Sequence, residues 1–290
     1  MSGSRYERPA GLSEAVSLLA GSDNSHPLSG GTDFAVAMRH GRAKPGLIVD
    51  LKAIPELASA IEMADGFLAI TANTVMTDLE NDERIRKLLP ALVEAARVVG
   101  SVQIRNRATL AGNLANASPA ADTPPVLMAL GATILIHGLS GIKALSVDDF
   151  LVDYRTTALD PGELIVAVRI PVPARRSSSS FLKLGVRRAM EISVVCVGAS
   201  IELDENGTIV QAGLGLGSVA PVTLRPRNAE KLLLGNPASP ELFVAAGDAA
   251  GDECSPIDDL RASGEYRKAM VPVLVRRALS IAQERSGVGV

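Results

Sequence analysis

Arg105-Asn106-Arg107-Ala108-Thr109-Leu110-Ala111-Gly112-Asn113-Leu114-Ala115-Asn116-Ala117-Ser118-Pro119-Ala120-Ala121-Asp122 is the stretch on which the reading of this chain turns. Residues without bulk at Cβ alternate there with amide and hydroxyl side chains, so a sharply turning backbone is flanked by hydrogen-bonding groups. A second stretch far upstream, Pro27-Leu28-Ser29-Gly30-Gly31-Thr32-Asp33-Phe34, is written in the same style. A backbone needs such residues if its N–H groups are to approach a phosphate closely. Two such loops suggest a long ligand with a diphosphate in its middle, and a dinucleotide cofactor fits that description.

Working outward, Leu12 to Leu19 read as a short amphipathic helix with Ser13 as its N-cap and Gly21 as its end. Pro27 to Ser29 predict a strand entering the first loop, Phe34 to His40 a helix leaving it, and Leu47 to Leu51 a strand bounded by Pro45-Gly46 and Pro55. Strand, loop, helix and strand in that order aim backbone amides at an anion. Phe67 to Ala72, Thr133 to His137 and Leu164 to Ile170 predict further strands. Thr77 to Leu79, Ala91 to Val99 and Val126 to Leu130 predict helices. Ser177 to Ser180 read equally as a linker or as a polar surface turn between strands. Val194 to Leu203 and Ile209 to Gly217 predict a hairpin across Asp204-Glu205-Asn206-Gly207, since Asn-Gly favours a tight reversal. Pro226 to Val290 is mostly helical by composition. Boundaries near residues 60 and 174 divide the chain into 1–60, 61–174 and 175–290.

Composition narrows the chemistry. The 290 residues are 47% hydrophobic and 21% charged, the pattern of an ordinary globular protein with more than one domain. A net charge of −3 gives no support for nucleic-acid binding. Met1 to Pro9 lack the apolar run of a signal peptide and no stretch is long enough to span a bilayer, so the expected location is the cytoplasm. Cys196 and Cys254 form no Cys-x-x-Cys pattern, and His26, His40 and His137 are scattered. No structural zinc or iron–sulfur cluster is expected from this chain alone. No Gly-x-Ser-x-Gly elbow is present. Chemistry here is expected to be carried by a bound cofactor, with no catalytic side chain and no metal ligand assigned.

The loops alone do not decide which cofactor. Ser29-Gly30-Gly31-Thr32-Asp33 lacks the Gly-x-Gly-x-x-Gly spacing, and no acidic residue closes a βαβ unit about 20 residues later in the expected way. In the second loop, Thr109 and the amides would grip a diphosphate while Asn113 and Asp122 hold hydroxyls. A buried turn with helix caps reads equally well, because Asp122-Thr123-Pro124-Pro125 is a sound N-cap sequence.

Taken together the motifs resemble the two FAD-binding motifs of the molybdenum hydroxylase flavoproteins, the medium subunits of carbon monoxide dehydrogenase-like enzymes and the central domain of xanthine dehydrogenase. The likeness extends to Tyr154-Arg155, Pro161-Gly162-Glu163-Leu164-Ile165, Ile170-Pro171, Phe181-Leu182-Lys183, Arg187-Arg188 and Glu265-Tyr266-Arg267, in order along nearly the whole chain. The resemblance implies an α+β fold: a small αβ lobe and a larger mixed αβ lobe that hold an extended FAD. A C-terminal domain with a three-stranded antiparallel sheet and a helix bundle follows them. It implies that Pro27, Leu28, Ser29, Gly30, Gly31, Thr32, Asp33 and Phe34, with Thr109, Leu110, Ala111, Gly112 and Asn113, embrace the diphosphate and ribityl region. Asp122 is implied to bind polar FAD atoms, and Ile165, Lys183 and Ile192 to lie near the rings. Many relatives carry two glycines where this chain has Ala111-Gly112, and the added methyl matters only if that position needs positive φ.

The implied function is that of the FAD-carrying electron-transfer subunit of a heterotrimeric molybdenum hydroxylase, doubled by symmetry. A small partner subunit would hold [2Fe-2S] clusters and a large one the molybdenum cofactor. Two rivals stay open at this point: a free-standing FAD oxidoreductase, and a flavin-free binding or assembly module of the same fold.

Overall fold

The computed structural model describes residues 3–187 and 189–287; Arg188, one of the motif residues above, lies outside them. The first region contains β1 (Arg5–Glu7), α1 (Leu12–Ala20), β2 (Ser25–Leu28), α2 (Thr32–Arg39) and β3 (Leu47–Asp50). Its three strands lie in the order β1-β3-β2, and β3 runs parallel to both neighbours. All four residues of β3 are buried, which is what a central parallel strand of Leu-Ile-Val-Asp requires. Ser13 falls inside α1, whose N-cap is Gly11 with no side-chain hydrogen bond, so the predicted Ser13 cap is not formed. An acidic residue does close the β2–α2–β3 unit: Asp50 ends β3. Its carboxylate is 3% exposed and engaged by the Tyr6 hydroxyl and by Lys52 at 2.6 Å, within its own lobe.

The second region runs from β4 (Ile61–Ala64) and β5 (Phe67–Thr71) through six short helices: α3 (Met76–Asn81), α4 (Glu83–Leu88), α5 (Pro90–Arg97), α6 (Val102–Arg105), α7 (Leu110–Ala115) and α8 (Thr123–Ala129). It continues with β6 (Thr133–Gly138), β7 (Gly141–Ser146), α9 (Val147–Phe150), the two-stranded ribbon of β8 (Leu151–Asp153) and β9 (Thr156–Thr157), and β10 (Leu164–Pro171). The sheet order is β4-β5-β10-β6-β7 with every pairing antiparallel. One hydrophobic core runs from Ala15 and Val49 in the first region to Leu92, Ile134 and Ile170 in the second, so the two share a single interior.

The third region comprises β11 (Ser177–Leu184), β12 (Val195–Leu203), β13 (Ile209–Gly217), α10 (Arg227–Leu233), α11 (Pro240–Asp252) and α12 (Gly264–Arg285). The hairpin forms where Asn206-Gly207 places it, with Gly207 at φ 80° and the Asp204 carboxylate accepting the Asn206 and Thr208 N–H groups. Ser177 to Ser180 correct their sequence reading, for they are neither linker nor surface turn but the first half of β11. Ser179 and Ser180 are each 1% exposed. The Ser179 hydroxyl accepts the Ala91 N–H of α5, while the Ser180 hydroxyl donates to the Ala278 carbonyl of α12 at 2.7 Å. A serine satisfied by a neighbouring backbone is small enough to let helices press on both faces of a strand, and its hydroxyl is not left unpaired.

The sheet also accepts α8 at very close range. A Cβ on Gly198 would lie 2.6 Å from the Pro125 carbonyl oxygen, and one on Gly213 or Gly215 would overlap the Ala129 or Pro125 carbonyl. Cys196 of β12 belongs to the core of the first two regions, across that contact. No helix among the described residues is long and apolar enough to cross a membrane.

Candidate functional site

The first loop begins where β2 ends. Gly31 takes the left-handed conformation at φ 73° and serves as N-cap of α2, with no side chain capping that end. The first N–H groups of a helix have no partners inside it, so an uncapped turn presents free donors and the positive end of the helix dipole. Gly30 has a different task. A Cβ there would overlap the Arg107 carbonyl oxygen, so its missing side chain lets the first loop lie directly against the second. Ser29 completes the junction: its hydroxyl donates to Asn73 Oδ1 at 2.6 Å and lies 3.5 Å from Thr109 Oγ1. Asn73 in turn donates to the Leu51 carbonyl. It is a site-organising residue that the loop reading missed; an Asn in the turn directly after β5 was the available signal.

The second stretch is more regular than a glycine-rich loop, for it starts at the last residue of α6 and contains α7. Thr109 is 3% exposed and caps α7, accepting the Gly112 N–H at 3.0 Å. Ala111 lies within α7 without positive φ, so its extra methyl is accommodated. Asn113 Oδ1 accepts the Thr123 hydroxyl at 2.6 Å, joining α7 to α8. A second bridge links the two loops at the surface: Asn116 donates to Asp33 Oδ1 and accepts from Arg155. Pro27, Leu28, Thr32 and Phe34 lie along the same approach, and the Phe34 ring stacks on His26 with centroids 3.9 Å apart.

Asp122 does not cap α8; its side chain makes no bond to that helix. The expected Asp122 side-chain cap is therefore not formed, while Thr109 does cap α7. The carboxylate is 7% exposed, pairs with Lys183 Nζ at 2.8 Å and accepts the Ser193 hydroxyl at 2.7 Å. Lys183 also donates to the Glu191 carbonyl at 2.8 Å. Burial pushes the Asp122 carboxyl up from its ordinary value, against the pull of the Lys183 charge and the two hydrogen bonds. The same burial, with the Asp122 charge nearby, pushes the Cys196 thiol up to about 12. Ser193 was not singled out in the sequence, since nothing local to it announces a partner 71 positions away. Ile192 stands 48% exposed next to Ser193. Ile165 is 6% exposed and packed in the core at a bulge of β10, beside Ile136.

The donor set fits an FAD. Hydroxyls of Ser29 and Thr109 meet an uncapped helix end, which suits a diphosphate, and the one loop carboxylate, Asp33, is engaged by Asn116. The Asp122–Lys183 pair supplies both a donor and an acceptor beyond it. Among the described residues no group of three or more His, Cys, Asp or Glu side chains is arranged to hold a metal.

Fold and loops together define a two-part flavoprotein subunit, and comparison with known proteins agrees. Residues 2–173 match the FAD binding domain in molybdopterin dehydrogenase, and residues 180–282 match the CO dehydrogenase flavoprotein C-terminal domain. The carbon monoxide dehydrogenase medium chain of Hydrogenophaga pseudoflava is 32% identical over 282 residues, 97% of each chain. The putative xanthine dehydrogenase FAD-binding subunit of Escherichia coli K12 is 30% identical over 283 residues, again 97% of each. A solved carbon monoxide dehydrogenase from Hydrogenophaga pseudoflava superposes with a TM-score of 0.93 at 31% identity, covering 98% of both chains. The chain belongs to the FAD-binding medium subunits of the molybdenum hydroxylases, and so to the oxidoreductases.

Proposed function

We propose that this chain is the electron-transfer subunit of a heterotrimeric molybdenum hydroxylase. It would receive electrons from [2Fe-2S] clusters in a small partner subunit and deliver them to an external acceptor. The large partner subunit would oxidise the substrate at its molybdenum cofactor. A dimer of such heterotrimers and a cytoplasmic location belong to the same reading. When bound, FAD supplies the redox chemistry at its ring system, and the protein supplies position and shielding.

The observation that carries the proposal is the meeting of the two loops. Gly30 rests against the Arg107 backbone, Ser29 faces Thr109, and the uncapped start of α2 opens beside them. Residues 27–34 and 109–113 would hold the diphosphate and ribityl groups by N–H and O–H donation. Asp122 would accept from a hydroxyl or ring N–H, Lys183 would donate toward the ring edge, and Ile165 and Ile192 would exclude water from its faces. The chain would move no proton by a dedicated acid or base.

Purification from the native source at low salt tests this. The expected product is yellow, with flavin absorption bands, and carries two other chains in equal amount and a doubled mass. A colourless protein would leave only a binding module. A lone yellow monomer that oxidises a small substrate unaided would replace the subunit reading with a free-standing oxidoreductase.

A further inference from the structure

Arg267 stands in the first turn of α12, 3% exposed, and belongs to neither loop. Its Nη1 donates to the Val194 carbonyl at 2.8 Å and to the Ser218 carbonyl at 3.3 Å, and its Nη2 donates to Asp259 at 2.6 Å. Its Nε is buried without a partner. Replacing a buried charge by packed apolar side chains is often neutral or stabilising, so stability alone does not account for a guanidinium held in this way.

Both carbonyls it grips lead to Asp122. Val194 donates its N–H to the Leu184 carbonyl at 2.8 Å and so closes the connection between β11 and β12. That connection carries Ser193, which donates to Asp122, and Glu191, whose carbonyl receives Lys183. Ser218 adopts a left-handed φ of 66° and donates its N–H to the Pro119 carbonyl at 2.7 Å, within the turn that ends at Asp122. Nη1 of one guanidinium, oriented by the Nη2–Asp259 bond, thus joins the two backbone segments on either side of the Asp122–Lys183 pair.

We propose that Arg267 is a positioning residue of the flavin site: by clamping Val194 and Ser218 it holds Ser193 and the 117–122 turn in register for the Asp122–Lys183 pair. The inference rests on the reading of Asp122 and Lys183 as flavin contacts. Lysine keeps the charge of Arg267 but not the second nitrogen: with Nη2 held by Asp259, Nη1 is aimed at both carbonyls, an orientation that a single flexible ammonium does not reproduce.

The test uses the full chain with Arg267→Lys, Asp122→Asn and both together. In flavin-free protein, Arg267→Lys is expected to speed amide exchange at Val194 and Ser218 roughly ten-fold while amides of α5 stay unchanged. FAD should bind Arg267→Lys roughly ten-fold more weakly, and the double variant no more weakly than Asp122→Asn alone, as for residues acting through one another. Unaltered exchange at both amides overturns the clamp. So does a lowered Tm with wild-type FAD affinity, or fully multiplicative losses in the double variant. If Asp122→Asn itself keeps wild-type affinity, the flavin-site reading is what fails. If Asp122→Asn weakens FAD and Arg267→Lys does not, the present inference fails alone. Should the lysine variant not fold, Ser193→Ala removes the relay hydroxyl without touching a charge; it must weaken FAD binding, and retention at wild-type strength overturns the proposal.

Discussion

The two glycine loops use the same residue types for different work. In the first, Gly31 supplies a backbone conformation that opens an uncapped helix end, and Gly30 supplies contact with the Arg107 backbone. In the second, Gly112 sits inside α7 with its N–H already donated to Thr109, and the stretch ends in a buried ion pair. The first loop is therefore organised to leave donors free, and the second to be internally satisfied and to reach the C-terminal domain. Similar sequence style does not imply similar function at each position; the partner of each missing Cβ decides.

Asp122→Ala should show the largest effect on that contrast. It leaves the Lys183 ammonium, whose side chain is 10% exposed, without its counter-charge. Stability is expected to fall by about 4 kcal/mol, well beyond the ~1 kcal/mol of a lost helix cap. FAD retention should fall further than the change in Tm accounts for. Denaturant unfolding and flavin titration of the same variant check both, and unchanged FAD affinity removes Asp122 from the site.

Gly30→Ala and Gly31→Ala separate the two tasks inside the first loop. Gly30→Ala forces a methyl into the Arg107 carbonyl and should cost about 2 kcal/mol by overpacking, loosening the junction between loops. Gly31→Ala places a side chain at positive φ and should cost about 1 kcal/mol. Valine at either position should abolish FAD binding. A folded Gly30→Val protein with stoichiometric flavin would show that the loops need not touch. Thr109→Ala sits at the low end of the series in stability, at about 1 kcal/mol by thermal melt, because the fold loses the cap of α7 with it.

A pH experiment addresses the C-terminal anchor of the second stretch. Burial raises the Asp259 carboxyl, but hydrogen bonds from Arg261, Ala262 and Arg267 outweigh it and bring it from 3.8 down to about 2. A carboxyl depressed on folding contributes stability above its unfolded value and loses it as pH falls through the folded one. The Tm difference between wild type and Asp259→Asn should thus be full at pH 6 and shrink between 3.8 and about 2. A difference that persists at pH 2 contradicts the ionic origin. The smallest expected signal is chemical: burial pushes both Cys196 and Cys254 thiols up to about 12, so a thiol reagent at pH 8 should label neither until the protein unfolds.

Much of this was legible in order along the chain. Gly31 before a helix, Asn206-Gly207 between two apolar runs, and the isoleucine-rich run from Thr133 to His137 each state a local structure through local chemistry. What could not be read depended on distant partners. Ser177 to Ser180 look like a tether because four serines bury little apolar surface; only α5 and α12, each far from them in sequence and on either side, turn them into a strand core. The purpose of Gly30 depends on Arg107, and that of Asp122 on Lys183 and Ser193. Asp50 sits at the spacing of a ribose-binding acid, yet Tyr6, ahead of the first helix, engages it.

Helix α8 lies on the bare backbone of β12 and β13, where Gly198, Gly213 and Gly215 leave no room for a single methyl group. That seam has a consequence for heredity. A surface of interlocking side chains tolerates exchange of one partner, because a larger group on one side is offset by a smaller one opposite. Backbone against backbone has no such freedom, and no compensating substitution in Pro125 or Ala129 can make space for an alanine across from them. The FAD-binding and C-terminal parts of this subunit are thereby matched backbone to backbone, and an exchange of either part would have to preserve the glycines on one side of the seam.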